Sequence, residues 1–371
     1  MTSLTAHGSG GGRVPARFAG LALTALALLA SAGCQRGVEP APRLLYSLQG
    51  ATFGTYYVVK IVVDRGDIVE GEPSPEERAL PLIEHELAEV DRLMSNYRDD
   101  SELSEFNANP TSDPVPLSPP TVEVFKAALE LGELTAGALD VTLAPLVKAW
   151  GFGPDGLATT APAADELEAL LASVGIDKLT LDPAAGTLSK SDPNLYCDLS
   201  SLAKGYGVDR VLDRLRETGF SNVLVEIGGE VRTAGHNRDG EPWRLGIESP
   251  FALRGQVQRV LPLVDEALAT SGDYRNYREI DGRRVSHLID PRNGQPIEHQ
   301  VASVSVVAPS CIRADALATA LMVMGEEEGF DLAEREGVAA LFLIRDGDAF
   351  VEKATTQFRA RFPASSQAAA P

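Results

Sequence analysis

Asp315 and Thr319 stand four residues apart in the stretch ADALATALMV, which has helical character, so both oxygens project from one face of a helix. A carboxylate and a hydroxyl in that arrangement suit a hard cation such as Mg²⁺, which takes oxygen ligands and keeps water or phosphate oxygens for the rest of its shell. Taken alone, the pair is better read as an acidic residue placed in early helical turns by the dipole and a threonine that packs.

A second stretch, CDLSSLAKGYGVD (197–209), reads as a strand ending at Asp198 followed by a helix opened by Ser200 or Ser201 and containing Lys204, Gly205 and Gly207. Glycines in a first helical turn lower its stability, so they point to something lying close against the backbone. The free N–H groups of a helix start suit a phosphate, although a capped helix packed tightly on a sheet would look the same. Neither GxxxxGK[ST] nor GxGxxG is present, so neither of those phosphate-binding mechanisms is supported. In AGALDVTLAPLVKAWGFG (136–153), Trp150 and Phe152 among glycines could line a flat aromatic ligand or simply form core and turn. In VSHLIDPRNGQP (285–296), His287 sits in a β-type run before the turn signals Asp290-Pro291 and Asn293-Gly294.

The elements that must position these residues alternate along the chain. LLYSLQGATFGTYYVVKIV (44–62) reads as strand broken near Gly50 and Gly54. Ser74-Pro75-Glu76-Glu77 opens a helix continued by Leu80, Ile83, Leu87, Val90 and Met94, with Pro81 blurring its first turn. Further helices are expected from about Thr121 to Ala136, over 164–174, over 200–217, and from Ser310 to Met324 with Gly325 as the stop. Hairpins are expected over 178–190, around Gly228-Gly229, at Asp281-Gly282 and at Asp346-Gly347, with a further strand at VASVSVVA (301–308). Hairpins interspersed with helices predict an α+β fold of antiparallel sheets rather than a doubly wound parallel sheet.

The charge balance bounds the partners. With 53 acidic against 33 basic residues the net charge is −20, which disfavours nucleic acid as a partner and adhesion to an anionic membrane by charge alone. At the N-terminus, Arg13 and Arg17 precede the apolar run FAGLALTALALLASAG, and Cys34 follows SAG. This reads as a targeting segment. It resembles a lipobox, with Ser31 where a bulky apolar residue is usual. Cys197 and Cys311 could pair in an oxidising compartment, but two unpaired buried thiols are the simpler expectation.

Taken in order, FGTYYVVK, SNYRDDSELSEFN, GALDVTLAPLVKAWGFG, CDLSSLAKGYGVD, VEIGGEV, SGDYRNY, SHLIDPRNGQP and ADALATALMVMG resemble the blocks of the ApbE family, the FAD:protein FMN transferases of bacterial envelopes. The resemblance implies one α+β, T-fold-like domain over 44–361, after a lipoprotein signal peptide (1–33) and a lipidated Cys34 with its tether (34–43), and before a flexible tail (362–371). It implies Mg²⁺ held by Ser201, Asp315 and Thr319 with Ala318 nearby. Contacts to FAD are implied at Phe53, Tyr97, Ala138, Leu139, Asp140, Asp198, Lys204 and Ile289. Phe53 stands where the family usually has Met. His287 would assist the incoming hydroxyl. The implied reaction moves FMN from FAD to a Ser or Thr hydroxyl of a redox protein in the cell envelope and releases AMP. The enzyme would be held to a membrane by its lipid, facing the periplasm or exterior. The alternatives are a Mg²⁺-dependent FAD pyrophosphatase yielding FMN and AMP, and a non-enzymatic flavin-binding lipoprotein.

Overall fold

The computed structural model describes residues 42–152, 160–250, 256–273, 277–280, 282–347 and 349–363. The signal segment, Cys34, most of the tether, Gly153, Asp281 and the tail from 364 lie outside the described residues. The fold is α+β. Eight strands form one antiparallel sheet in chain order: β1 (Arg43–Thr52), β2 (Thr55–Asp64), β3 (Asn222–Ile227), β4 (Glu230–Ala234), β5 (Ala267–Gly272), β6 (Val301–Ala308), β7 (Ala339–Asp346) and β8 (Ala349–Ala354). Every neighbouring pair is antiparallel.

Strand alternation assigns each face its own core. Val59 and Ile61 of β2, Val223, Val225 and Ile227 of β3, and Phe342 of β7 point into the larger core, which α1 (Pro75–Met94), α2 (Pro119–Leu134), α3 (Ser200–Glu217) and α4 (Cys311–Arg335) cover. Val62, Leu224, Leu341 and Leu343 point to the opposite core, closed by the hairpin Trp243–Glu248/Val257–Leu263 and the short helix Thr356–Arg361. With both faces covered, all eight residues of β6 are buried, which is why VASVSVVA lacks polar alternation.

Local chemistry sets most boundaries. Ser74 and Glu77 form a capping box at the start of α1, and the helix runs through Pro81 without a break. β1 and β2 meet at a two-residue turn, Phe53-Gly54, with φ of 48° and 71°, while Gly50 lies inside β1 under the Tyr57 ring rather than breaking it. Gly325 leaves helical geometry, as expected, but α4 resumes beyond it to Arg335. The strand Val257–Leu263 (VQRVLPL) lacks alternation and contains a proline, and Ala267–Gly272 and the helices Glu102–Ala108, Ala144–Ala149 and Thr356–Arg361 are too short to announce themselves by periodicity.

Candidate active site

The start of α3 lies against the first turns of α4, and this contact builds the floor of the site. A Cβ on Gly205 would come within 2.6 Å of Cys311 O and 2.9 Å of Asp315 Cβ. The close approach that the glycines signalled is therefore that of a second helix, not of a ligand, and Gly205 lies in the second turn of α3 rather than the first. A Cβ on Gly207 would meet Phe53 Cε2 at 3.0 Å, so that glycine makes room for the ring presented by the strained β1–β2 turn.

Asp209, four residues past Gly205, accepts hydrogen bonds from Cys311 N at 2.8 Å and Ile312 N at 2.9 Å. Ser310 makes no side-chain cap, so a carboxylate from α3 caps α4 instead. Arg232 of β4 pairs with the same Asp209 at 3.0 Å. These contacts fix the helix that carries Asp315 and Thr319.

Above this floor lies a cavity of about 820 Å³, within the size range of cofactor pockets. Phe53, Tyr97, Ala138, Leu139, Asp140, Asp198, Ser201, Lys204, His287, Ile289, Asp315 and Thr319, which come from distant parts of the sequence, all line it. Ala318 does not: it is buried in the main core, and only its backbone could reach towards a ligand. The Asp140 side chain is committed locally. Its Oδ1 accepts from Thr142 N (2.7 Å) and Thr142 Oγ1 (2.6 Å), and its Oδ2 from Ile176 N (3.0 Å). Asp198 likewise accepts from Ser200 N at 2.8 Å, securing the first turn of α3.

The wall that carries His287 is held by a small separate core of Leu146, Trp150, Phe152, Leu167, Val174, Ile280, Val285 and Ile289. Trp150 Nε1 donates to Gly294 O at 2.8 Å and so pins the Asp290–Gly294 turn, in which Asp290 O accepts from Gly294 N. Phe152 meets His287 edge-on, with ring centroids 6.3 Å apart. The expected single strand through His287 and Ile289 is interrupted. The strand Arg283–Ser286 ends before His287, Leu288 N donates to Ser286 Oγ, and Ile289 starts a new pairing with Pro296. His287 and Ile289 both face the cavity, as does Leu288 between them.

The charged centre of the site is a set of three groups. Gly205 N donates to Asp315 Oδ2 at 3.0 Å. Lys204 Nζ lies 3.9 Å from the same oxygen and 2.6 Å from Glu230 Oε1. Burial pushes the Asp315 carboxyl up to about 7; the Lys204 ammonium works against that shift and Glu230 adds to it. Burial pulls Lys204 down, but Asp315 and Glu230 outweigh it and the net shift is upward. Glu230 and Asp209 went unread in the sequence. The one available signal for Glu230 was a carboxylate directly after the Gly228-Gly229 turn, where side chains are aimed by tight geometry.

The chemistry of the donors fits a hard divalent cation. Asp315, Thr319 and Ser201, which all line the cavity, offer only oxygen. Among the described residues no three His, Cys, Asp or Glu side chains cluster as metal ligands, and one carboxylate with two hydroxyls suits an ion that completes its shell with water and phosphate oxygens. Cys197 and Cys311 are both buried and unpaired, and burial raises both thiols.

The ApbE family model matches residues 53–342. The FAD:protein FMN transferase of Vibrio cholerae (serotype O1, strain O395) is 47% identical over 338 residues, covering 91% of this chain and 97% of that protein. The FAD:protein FMN transferase of Escherichia coli K12 is 36% identical over 348 residues, again covering 91% and 97%. Among solved structures, the flavin transferase ApbE from Vibrio cholerae superposes with a TM-score of 0.78 at 45% identity, over 86% of this chain and all of that one. The apo flavinyl transferase ApbE of Pseudomonas stutzeri also gives 0.78, at 41% identity over 87% and 98%.

Proposed function

The chain belongs to the ApbE family, and on that premise we propose that it is an FAD:protein FMN transferase, moving FMN from FAD to a target protein with release of AMP. The observation that carries this reading is the convergence of the aromatic, hydroxyl, carboxylate and imidazole groups on one cavity large enough for a dinucleotide.

In finer detail, the acceptor is a Ser or Thr hydroxyl of an exported redox protein. Its oxygen attacks the FMN-side phosphorus and forms the new P–O bond. The bond from that phosphorus to the bridging oxygen breaks, and AMP departs with the bridging oxygen. His287 receives the hydroxyl proton as general base. Asp315, Thr319 and Ser201 would hold Mg²⁺, whose contribution when bound is to offset the charge that develops on the diphosphate and on AMP. In a chain of net charge −20 that compensation also lets a dianionic diphosphate enter. Phe53 and Tyr97 offer ring faces to the planar parts of FAD, and Ile289 packs beside them. The backbone at Ala138, Leu139 and Asp140 and the groups of Asp198 and Lys204 position the nucleotide.

The first 33 residues serve as a lipoprotein signal peptide, and Cys34 carries the lipid that tethers the enzyme to a membrane on the periplasmic or exterior side. The test of the function is AMP release from FAD and Mg²⁺ with and without an acceptor domain. Release that requires the acceptor and matches its modification one for one supports transfer. Acceptor-independent release, with free FMN as co-product, would replace it with a pyrophosphatase.

A further inference from the structure

We infer that Glu230 is a positioning residue that holds the Lys204 ammonium off the Asp315 carboxylate and thereby keeps the cation site open. The inference rests on the metal reading above and deepens it. Lys204 stands between two buried carboxylates, 2.6 Å from Glu230 Oε1 and 3.9 Å from Asp315 Oδ2. Both side chains are more than nine-tenths buried, so each attracts the ammonium strongly. An ammonium that closed on Asp315 would neutralise the only carboxylate in the proposed ligand set and occupy the space a divalent ion needs.

Glu230 is built for the competing role. It is the first residue of β4, directly after the Gly228-Gly229 turn, so its backbone position is fixed by the pairing of Ile227 with Glu230. A Cβ on Gly228 would lie 3.5 Å from Glu230 Oε2 and 3.0 Å from Thr55 Cγ2, so the glycine leaves the space in which the carboxylate lies against the turn. Oε2 has no hydrogen-bond partner, so Lys204 is the one group among the described residues that pairs with this carboxylate. Asp315 in turn is anchored through Oδ2 by Gly205 N. The lysine is thus drawn to one side by a carboxylate that takes no part in the proposed metal binding.

The test is a titration of the FAD-free chain with Mn²⁺, followed by the electron paramagnetic resonance signal of the free ion and competed with Mg²⁺. Glu230→Gln should raise the dissociation constant about tenfold or more, the range for loss of a group that orients a ligand, because Lys204 then closes on Asp315. Lys204→Met should bind the ion at least as tightly as the unaltered chain, and Glu230→Gln/Lys204→Met should recover affinity lost in Glu230→Gln alone. Unchanged binding by Glu230→Gln, weaker binding by Lys204→Met, or a double variant as weak as Glu230→Gln would each overturn the inference. If the unaltered chain takes up no ion while Asp315→Ala behaves identically, the metal reading itself falls, and this inference with it.

Discussion

Asp315 is a carboxylate that burial holds near pH 7 and that a lysine, a glutamate and one backbone amide surround. A buried group in that state is costly without a compensating partner, and a divalent cation is the partner its surroundings suit. Asp315→Ala is therefore expected to abolish FMN transfer and cation binding together while the chain still melts cooperatively. An active Asp315→Ala enzyme would place the cation elsewhere. His287 makes a different kind of contribution. His287→Gln should lower kcat by about 100-fold or more, with FAD affinity changed only a few-fold. A loss of FAD affinity with kcat little changed would mean that His287 orients the substrate without moving a proton.

At the scale of elements, the site depends on how α3 and α4 meet. Gly205 permits the contact and Asp209 locks it by capping α4 across the interface. Gly205→Ala should destabilise by about 2 kcal/mol through overpacking, and Asp209→Ala by a similar amount through loss of the cap. Both should weaken cation binding as well, since the helices that carry Ser201 and Asp315 would shift. Calorimetric melting alongside the Mn²⁺ titration checks the pair, and a loss of stability with full ion affinity would show that the helix contact does not set the site. The periodicity of α1 and α3, the caps and the glycine turns made most of these elements legible in the sequence. The interhelical cap was not, because nothing local relates Asp209 to Cys311 across about a hundred residues. The strand ALATSG of β5 was hidden for another reason: its small residues are selected by neighbours on both sides, not by any pattern of its own.

For the whole molecule, an antiparallel sheet carries a separate core on each face. None of the proposed groups belongs to the core on the hairpin-covered side; Leu139 and Ala318 belong to the larger core and Ile289 to the small separate one. The sequence made the membership of the site legible, since the same blocks that identify it are the segments that converge. The charge set around Lys204 was legible only in three dimensions, because Glu230 reaches it from the far end of a hairpin turn. Membrane attachment is expected to be independent of this architecture. Cys34→Ser should move the protein from the membrane fraction to the soluble one without altering transfer by the extract, and continued membrane association would remove Cys34 as the anchor. The central claim is transfer to protein, and intact-mass spectrometry of an unmodified exported redox subunit tests it most directly, after incubation with the chain, FAD and Mg²⁺. The account predicts one added FMN on a Ser or Thr of that subunit, dependent on Asp315 and accompanied by AMP. An unmodified subunit in a mixture where FAD has been converted to free FMN and AMP would contradict it.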